Sequence, residues 1–408
     1  MGIFELVCLE CGQRHQGLTT RCRGGCTALL RSQYEERSFR PTQVPSLFRF
    51  LDWLPCRREA ETTAGPVVFP CERFGRRLGL DRFHCAFSGY WPEKGALNST
   101  GTFKDLEAAP TLQSLVEQGI REVLLASAGN TARAFAHAAQ SFDVKVFVVV
   151  PEAMLNRMWL PSGAATGTVR LAVVKGSSDY SEAIRLSEEI SARYGIHPEG
   201  GARNVARRDG LGTVMLEAAR VLGRLPDHYF QAVGSGTGGI AAHEAALRLL
   251  GDKFRNGEPP PRLHLSQNAP FLPLFRAWKG ETWEPPLDDR VFASVLANRN
   301  PPFAIRGGVA DTLRASRGTM YAVTDQEAMA AGREFSELEG IDLEPAAAVA
   351  AASLIQAAAS GEIRRDELVL LNVTGGGLDL LRRDFTCRVL EPDLRFDAST
   401  LSAFENIL

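Results

Sequence analysis

Lysine is scarce in this chain: six residues of 408, against forty arginines. The basic and acidic totals, 46 and 48, nearly cancel and leave a formal net charge of −2. That balance removes any bulk electrostatic attraction to nucleic acid or to an anionic membrane. Long apolar runs are missing too, none approaching the ~18–20 residues of a membrane helix. The N-terminus, MGIFELVCLECG, lacks the basic start and apolar stretch of a secretory signal. A cytoplasmic protein is the expectation. With 45% apolar and 23% charged residues the composition is globular and excludes a largely disordered chain or a coiled coil.

Eight cysteines in so long a chain do not make a disulfide scaffold. Four of them, Cys8, Cys11, Cys22 and Cys26, fall within nineteen residues. CxxC followed by glycine is a knuckle that converges two thiolates on a tetrahedral metal, and CRGGC has one residue more between its pair. A structural zinc ion would staple a segment too short for its own core. Reduced thiols packed as small hydrophobes fit the same spacing. His15 lies beside the cluster and is expected to be solvated. Cys56, Cys71, Cys85 and Cys387 are scattered and are read as packing residues.

Residues 36–100 are rich in proline, arginine and aromatics and read as extended chain and loops. An alternation follows. Strands are expected at 122–127, 144–150, 171–174, 228–233, 263–266 and 367–373. Helices are expected at 131–140, 179–194, 212–223, 240–250, 324–339 and 344–360. Strands alternating with helices imply parallel sheets covered on both faces. In such sheets ligands gather at the carboxyl ends of the strands. Three polar, glycine-bearing turns follow strands directly: SAGN (127–130), GSGTGG (234–239) and TGGG (374–377).

GSGTGG between a strand and a helix suits a phosphate, because glycines admit close approach and the helix N-terminal amides point at the anion. It has neither the nucleotide P-loop spacing nor the acidic partner of a dinucleotide fold. Taken alone, a purely structural glycine turn explains it equally well. Lys104 stands in NSTGTFKDLEA (98–108) at the start of a helix-compatible run. The positive end of a helix dipole disfavours its ammonium form and favours amine chemistry. An ordinary solvated lysine is the competing reading.

Together these motifs resemble fold-type II pyridoxal-phosphate enzymes, in the branch containing threonine synthase and cysteate synthase. TGTFKD is similar to that family's cofactor-lysine motif, SAGNT to its asparagine loop, GSGTGG to its phosphate loop and VTGGGL to its late threonine turn. The resemblance implies that Lys104 binds the cofactor covalently and serves as catalytic base. Asn130 would bond the cofactor's 3-hydroxyl oxygen. Gly234, Ser235, Gly236, Thr237 and Gly238 would hold its phosphate, and Thr374 would face the ring nitrogen. Ser127, Ala128, Gly129 and Thr131 would receive the substrate carboxylate.

The segments FSGYWPEKGALNSTGTFKDLEA (87–108) and NRNPPFAIRGGVADTL (298–313) resemble the cysteate synthase branch more than threonine synthase. That branch implies β-replacement on O-phospho-L-serine, with sulfite displacing phosphate. O-phosphohomoserine with water, or another nucleophile on phosphoserine, is the alternative within the same chemistry. Both partners are small anions, so cationic or amide donors are needed; Asn156, Arg157 and Arg306 are the main candidates, with Lys94 and Arg133 beside them. Tyr90 and Trp91 are close enough in sequence to line the site. The implied architecture is α/β with parallel sheets: a zinc-ribbon-like segment (1–35), a large lobe (36–110 and 205–408) and a small lobe (111–204). A homo-oligomer is expected, with no nucleic-acid or membrane partner.

Overall fold

A computed structural model describes residues 3–127, 129–164, 167–176, 180–251, 259–285, 290–299 and 301–408. Two α/β layers carry most of the chain. The larger sheet has six strands in the order Thr319–Val323, Arg262–Asn268, His228–Ala232, Leu368–Val373, Arg82–Phe87 and Val67–Pro70. All pairs are parallel except the last, an antiparallel edge. Leu368–Val373 is buried throughout, as a central strand covered on both faces must be. The alanine-rich helix Pro345–Ala359 lies across this sheet; its small side chains allow the close approach.

The second sheet has five parallel strands: His197–Pro198, Glu122–Ala126, Lys145–Pro151, Val169–Val174 and Leu394–Phe396. The last of these returns from the C-terminus. Residues 394–396 therefore pack on the sheet of 122–174 and not on the sheet that holds most of 205–408. Only three residues long, that strand follows a polar stretch and carries no recognisable alternation. The N-terminal segment forms its own antiparallel sheet, Arg14–His15, Phe4–Cys8 and Leu30–Tyr34.

Other departures from the sequence reading have physical causes. The stretch 36–100 contains the helix Glu72–Leu78 and the two strands at the edge of the large sheet. The helix expected at 212–223 spans Val205–Leu222, capped by Asn204, whose side chain accepts from the Arg207 N–H. Its first turns look polar in sequence, yet Arg208 and Asp209 are buried because each is paired. Arg208 bonds Glu244 at 2.9 Å, and Asp209 bonds Arg248 at 2.8 Å. Thr319–Val323 was not anticipated at all. Among the described residues no helix is long and apolar enough to cross a membrane.

Candidate active site

The neighbouring strands His228–Ala232 and Leu368–Val373 end side by side, so the loop 234–238 and Thr374 open on one side of the sheet. Lys104 is brought to the same place by backbone stitching. Phe103 N–H donates to the Thr374 carbonyl at 2.8 Å, Gly376 N–H to the Gly101 carbonyl at 3.1 Å, and Thr102 bridges Gly375. Lys104 itself caps the helix Asp105–Glu117. A cavity of about 600 Å³ lies between the two sheets. Lys104, Asn130, Gly234, Ser235, Gly236, Thr237, Gly238 and Thr374 share its wall, together with Ser127, Gly129 and Thr131. Ala128 lies outside the described residues.

Lys104 sits in a buried charge network. Its Nζ lies 3.2 Å from Glu107 Oε2 and 4.7 Å from the centre of the Phe103 ring. Glu107 is fully buried and also accepts from Thr131 Oγ1 at 2.9 Å and from Arg207 at 2.8 Å through both oxygens. Arg207 reaches on to Glu199 at 2.8 Å. Burial lowers the Lys104 ammonium from its ordinary value; Glu107 opposes the shift and Arg207 adds to it. A less basic lysine spends more time as the free amine that carbonyl chemistry needs.

The glycine loop is shaped by what surrounds it. Gly236 has φ +82°, and a Cβ at Gly238 would come within 2.1 Å of Gln231 Nε2. The Ser235 and Thr237 hydroxyls lie 2.7 Å apart. Loop amides, two hydroxyls and the start of the helix Thr237–Gly251 make a donor set suited to a phosphate. Asn130 Nδ2 donates to Glu344 Oε1 at 2.9 Å, while its Oδ1 accepts from Arg133 at 2.8 Å. Ser127 Oγ accepts from the Gly129 and Ala132 N–H groups and so fixes the turn.

Residues 76–375 match the pyridoxal-phosphate dependent enzyme family. The chain belongs to that family. The loop, the lysine and the cavity fit the group: donors for its phosphate line the same space as a half-buried amine. Relatives named cysteate synthase include those of Methanosarcina barkeri, 46% identical over 96% of both chains, and Methanoculleus marisnigri, 48% identical over 97% of this chain and 93% of that one. Similar solved folds include maize serine racemase, with 16% identity and TM-score 0.59 over 79% of this chain and 91% of that one. Threonine deaminase isoform 2 from Solanum lycopersicum has 19% identity and TM-score 0.59, over 83% and 92%. The fold is that of the family's type II enzymes, α/β with mainly parallel sheets.

Several side chains expected at the site lie elsewhere. Arg306 is exposed and pairs with Asp311 at 3.7 Å, off the cavity wall. Asn156 is exposed, and Arg157 packs its stem behind Gly129; neither joins the wall. Lys94 stacks over Phe69 and Trp91 at the surface. Arg133 is buried over Trp159, 4.2 Å from the ring centre, behind Asn130. Tyr90 bonds Asp384 at 3.1 Å and Trp91 packs edge-on to Phe69 and Phe87, so both serve packing.

What the sequence reading missed is Glu107, Arg207 and Glu199 behind the lysine, and Arg21 and Arg203 on the wall. The only local signal was Glu107 standing three residues after Lys104, one helical turn away.

At the N-terminus, Cys8, Cys11, Cys22 and Cys26 place their sulfurs within 4.8 Å of one another, with Cys11 and Cys22 at 3.6 Å. Zinc–sulfur bonds of about 2.3 Å put tetrahedral sulfurs at that separation, so the cluster could hold a metal ion. Its hydrogen bond with Cys11, then burial, raises the Cys26 thiol to about 12: sulfurs this close resist sharing negative charge. His15 is not solvated; it is 2% exposed and outside the cluster.

Proposed function

We propose that the chain catalyses β-replacement on O-phospho-L-serine, with sulfite displacing phosphate to give L-cysteate. The observation that carries this reading is the half-buried Lys104 amine sharing one cavity with the glycine loop, in a chain 44–48% identical to relatives named cysteate synthase. Bound pyridoxal phosphate supplies an electron sink that makes the substrate's α-proton acidic and its β-substituent labile. Lys104 Nζ is assigned the covalent attachment and, once free, the removal of that proton as general base. Gly234–Gly238 with the Ser235 and Thr237 hydroxyls hold the cofactor phosphate. Asn130 orients the ring through its 3-hydroxyl oxygen. Thr374 offers the ring nitrogen a hydroxyl and no carboxylate, which favours elimination and replacement over transamination.

The turn of Ser127, Gly129 and Thr131, with Ala128 between them, receives the substrate carboxylate on amides at the start of the helix Asn130–Ala138. Loss of the α-proton and departure of phosphate with the C–O electron pair balance one another. The sulfite sulfur then donates its lone pair to the β-carbon, and the proton returns to the α-carbon. Closing the large lobe (36–110 and most of 205–408) on the small lobe (111–204, joined by the strand 394–396) excludes water during this exchange. A structural zinc in the cysteine cluster and a reducing, cytoplasmic setting belong to the same reading, supported by eight free cysteines. A homo-oligomer is carried by the family resemblance alone.

Phosphate release separates this reading from its neighbour. Release from O-phosphoserine with sulfite supports it; release from O-phosphohomoserine alone sinks it.

A further inference from the structure

Two arginines on the cavity wall have no task in the scheme above. Arg21 comes from the N-terminal segment, one residue before Cys22 of the cysteine cluster. Arg203 closes the short turn Gly201–Arg203. The two segments are seated on each other. A Cβ at Gly200 would come within 2.6 Å of Thr20 Cγ2, and Arg203 donates to the Thr27 carbonyl at 2.9 Å.

Their neighbours in sequence set the contrast. Arg207 and Arg208 are neutralised by Glu107, Glu199 and Glu244. Among the described residues, neither Arg21 nor Arg203 has a carboxylate partner, and the Arg21 guanidinium makes no hydrogen bond. Glu188 shares the wall without an ion pair to either. Burial, and then the positive charges of Arg21 and Arg208, hold the Arg203 guanidinium below its ordinary value. Arg21 is exposed and Arg203 half-buried, on segments seated on each other, so two positive charges stand on one wall without a counter-charge; an anion bound by both relieves their repulsion.

We propose that Arg21 and Arg203 form an oxyanion-binding station on the wall of the active-site cavity, with the cysteine-cluster segment supplying one of its two cations. The ligand class is a small oxyanion. Under the function proposed above, on which its source rests, this is either the arriving sulfite or the phosphate of the substrate. A guanidinium pair suits both, since each offers several donors in a planar fork.

The test uses the cofactor-loaded enzyme and the variants Arg21→Gln, Arg21→Lys and Arg203→Gln. Inorganic phosphate is titrated calorimetrically, and KM is measured separately for sulfite and for O-phosphoserine. Arg21→Gln should weaken phosphate binding by about tenfold and Arg21→Lys by less, as expected for loss of a charge-assisted contact. A raised KM for sulfite alone identifies the nucleophile's station; a raised KM for phosphoserine alone identifies the leaving group's. Arg21 makes no side-chain contact that folding requires, so its melting temperature should not move. Unchanged phosphate affinity and unchanged KM values in Arg21→Gln overturn the station. Should the wild type fail to join sulfite to phosphoserine, the proposed function falls, and the phosphate titration still decides the station by itself.

Discussion

Glu107 Oε2 lies 3.2 Å from Lys104 Nζ, one helical turn along the same helix, and the same carboxylate is gripped by Arg207 from a helix 100 residues later. The lysine is therefore held by the fold before any ligand arrives. Glu107 raises its affinity for a proton, while burial and Arg207 lower it.

Glu107→Gln removes the largest influence that favours the ammonium, leaving only the weaker pull of Glu199. Lys104 should then lose its proton at lower pH, and the acid limb of cofactor attachment, followed by the growth of its absorbance band in the apoprotein, should move to lower pH. Arg207 keeps Glu199 as its only carboxylate in the variant, so stability should fall by about 3 kcal/mol, as for a broken buried pair. An acid limb that stays in place would show that Glu107 does not govern the lysine.

Gly238→Ala should lose cofactor affinity out of proportion to its size. The new methyl meets Gln231, whose Oε1 already accepts from Tyr229 at 2.6 Å and from Asn372 at 3.1 Å, so the amide has little room to retreat. Fluorescence titration with pyridoxal phosphate should show affinity weakened by more than about tenfold. Affinity equal to wild type would mean that the loop 234–238 does not hold the cofactor.

Acid should unfold the protein partly through His243, which is buried in the helix after the glycine loop with Nδ1 unpartnered. Burial, reinforced by Arg31, lowers it from 6.5 to about 4. The unfolded chain binds this proton more readily than the folded one, so the stabilisation is complete above pH 6.5 and is lost as pH falls toward 4. Its size is on the order of 3 kcal/mol from the linkage of a shift this large. Melting curves between pH 7 and 4 should therefore flatten in His243→Gln; an equally steep fall in the variant would assign acid lability elsewhere.

Elemental analysis should find one zinc per chain, retained in Cys387→Ser and lost in Cys11→Ser. If Arg21 works as proposed, chelation should raise the same KM that Arg21→Gln raises. Metal-free protein with full activity would reduce the cluster to packed thiols.

The parts of this molecule that were legible in sequence are local ones. Apolar runs such as VKVFVVV read as buried strands, and glycine-rich turns after them open on the carboxyl edge of a sheet; the family resemblance of TGTFKD, SAGNT, GSGTGG and VTGGGL then singled out Lys104, Asn130, 234–238 and Thr374, which the fold brings to one cavity. The illegible parts are pairings at a distance. Arg207 and Arg208 carry no local sign of their burial, because the carboxylates that neutralise them, Glu107 and Glu244, lie far away in sequence. Arg306 and Asn156 read as site residues from the segments around them, yet the chain turns both away from the cavity. Arg21 carries no local signal either: it stands beside Cys22 in the N-terminal segment and, Thr20 apart, lies far in sequence from the rest of the cavity wall.

The central claim is tested most directly by identifying the product. The cofactor-loaded enzyme is incubated with O-phospho-L-serine and isotopically labelled sulfite, and product and phosphate are quantified together by mass spectrometry and phosphate assay. The account predicts L-cysteate carrying the sulfite sulfur on its β-carbon, formed one-for-one with phosphate and absent in Lys104→Ala. Phosphate release that is indifferent to sulfite, with no sulfonated amino acid formed, would contradict it.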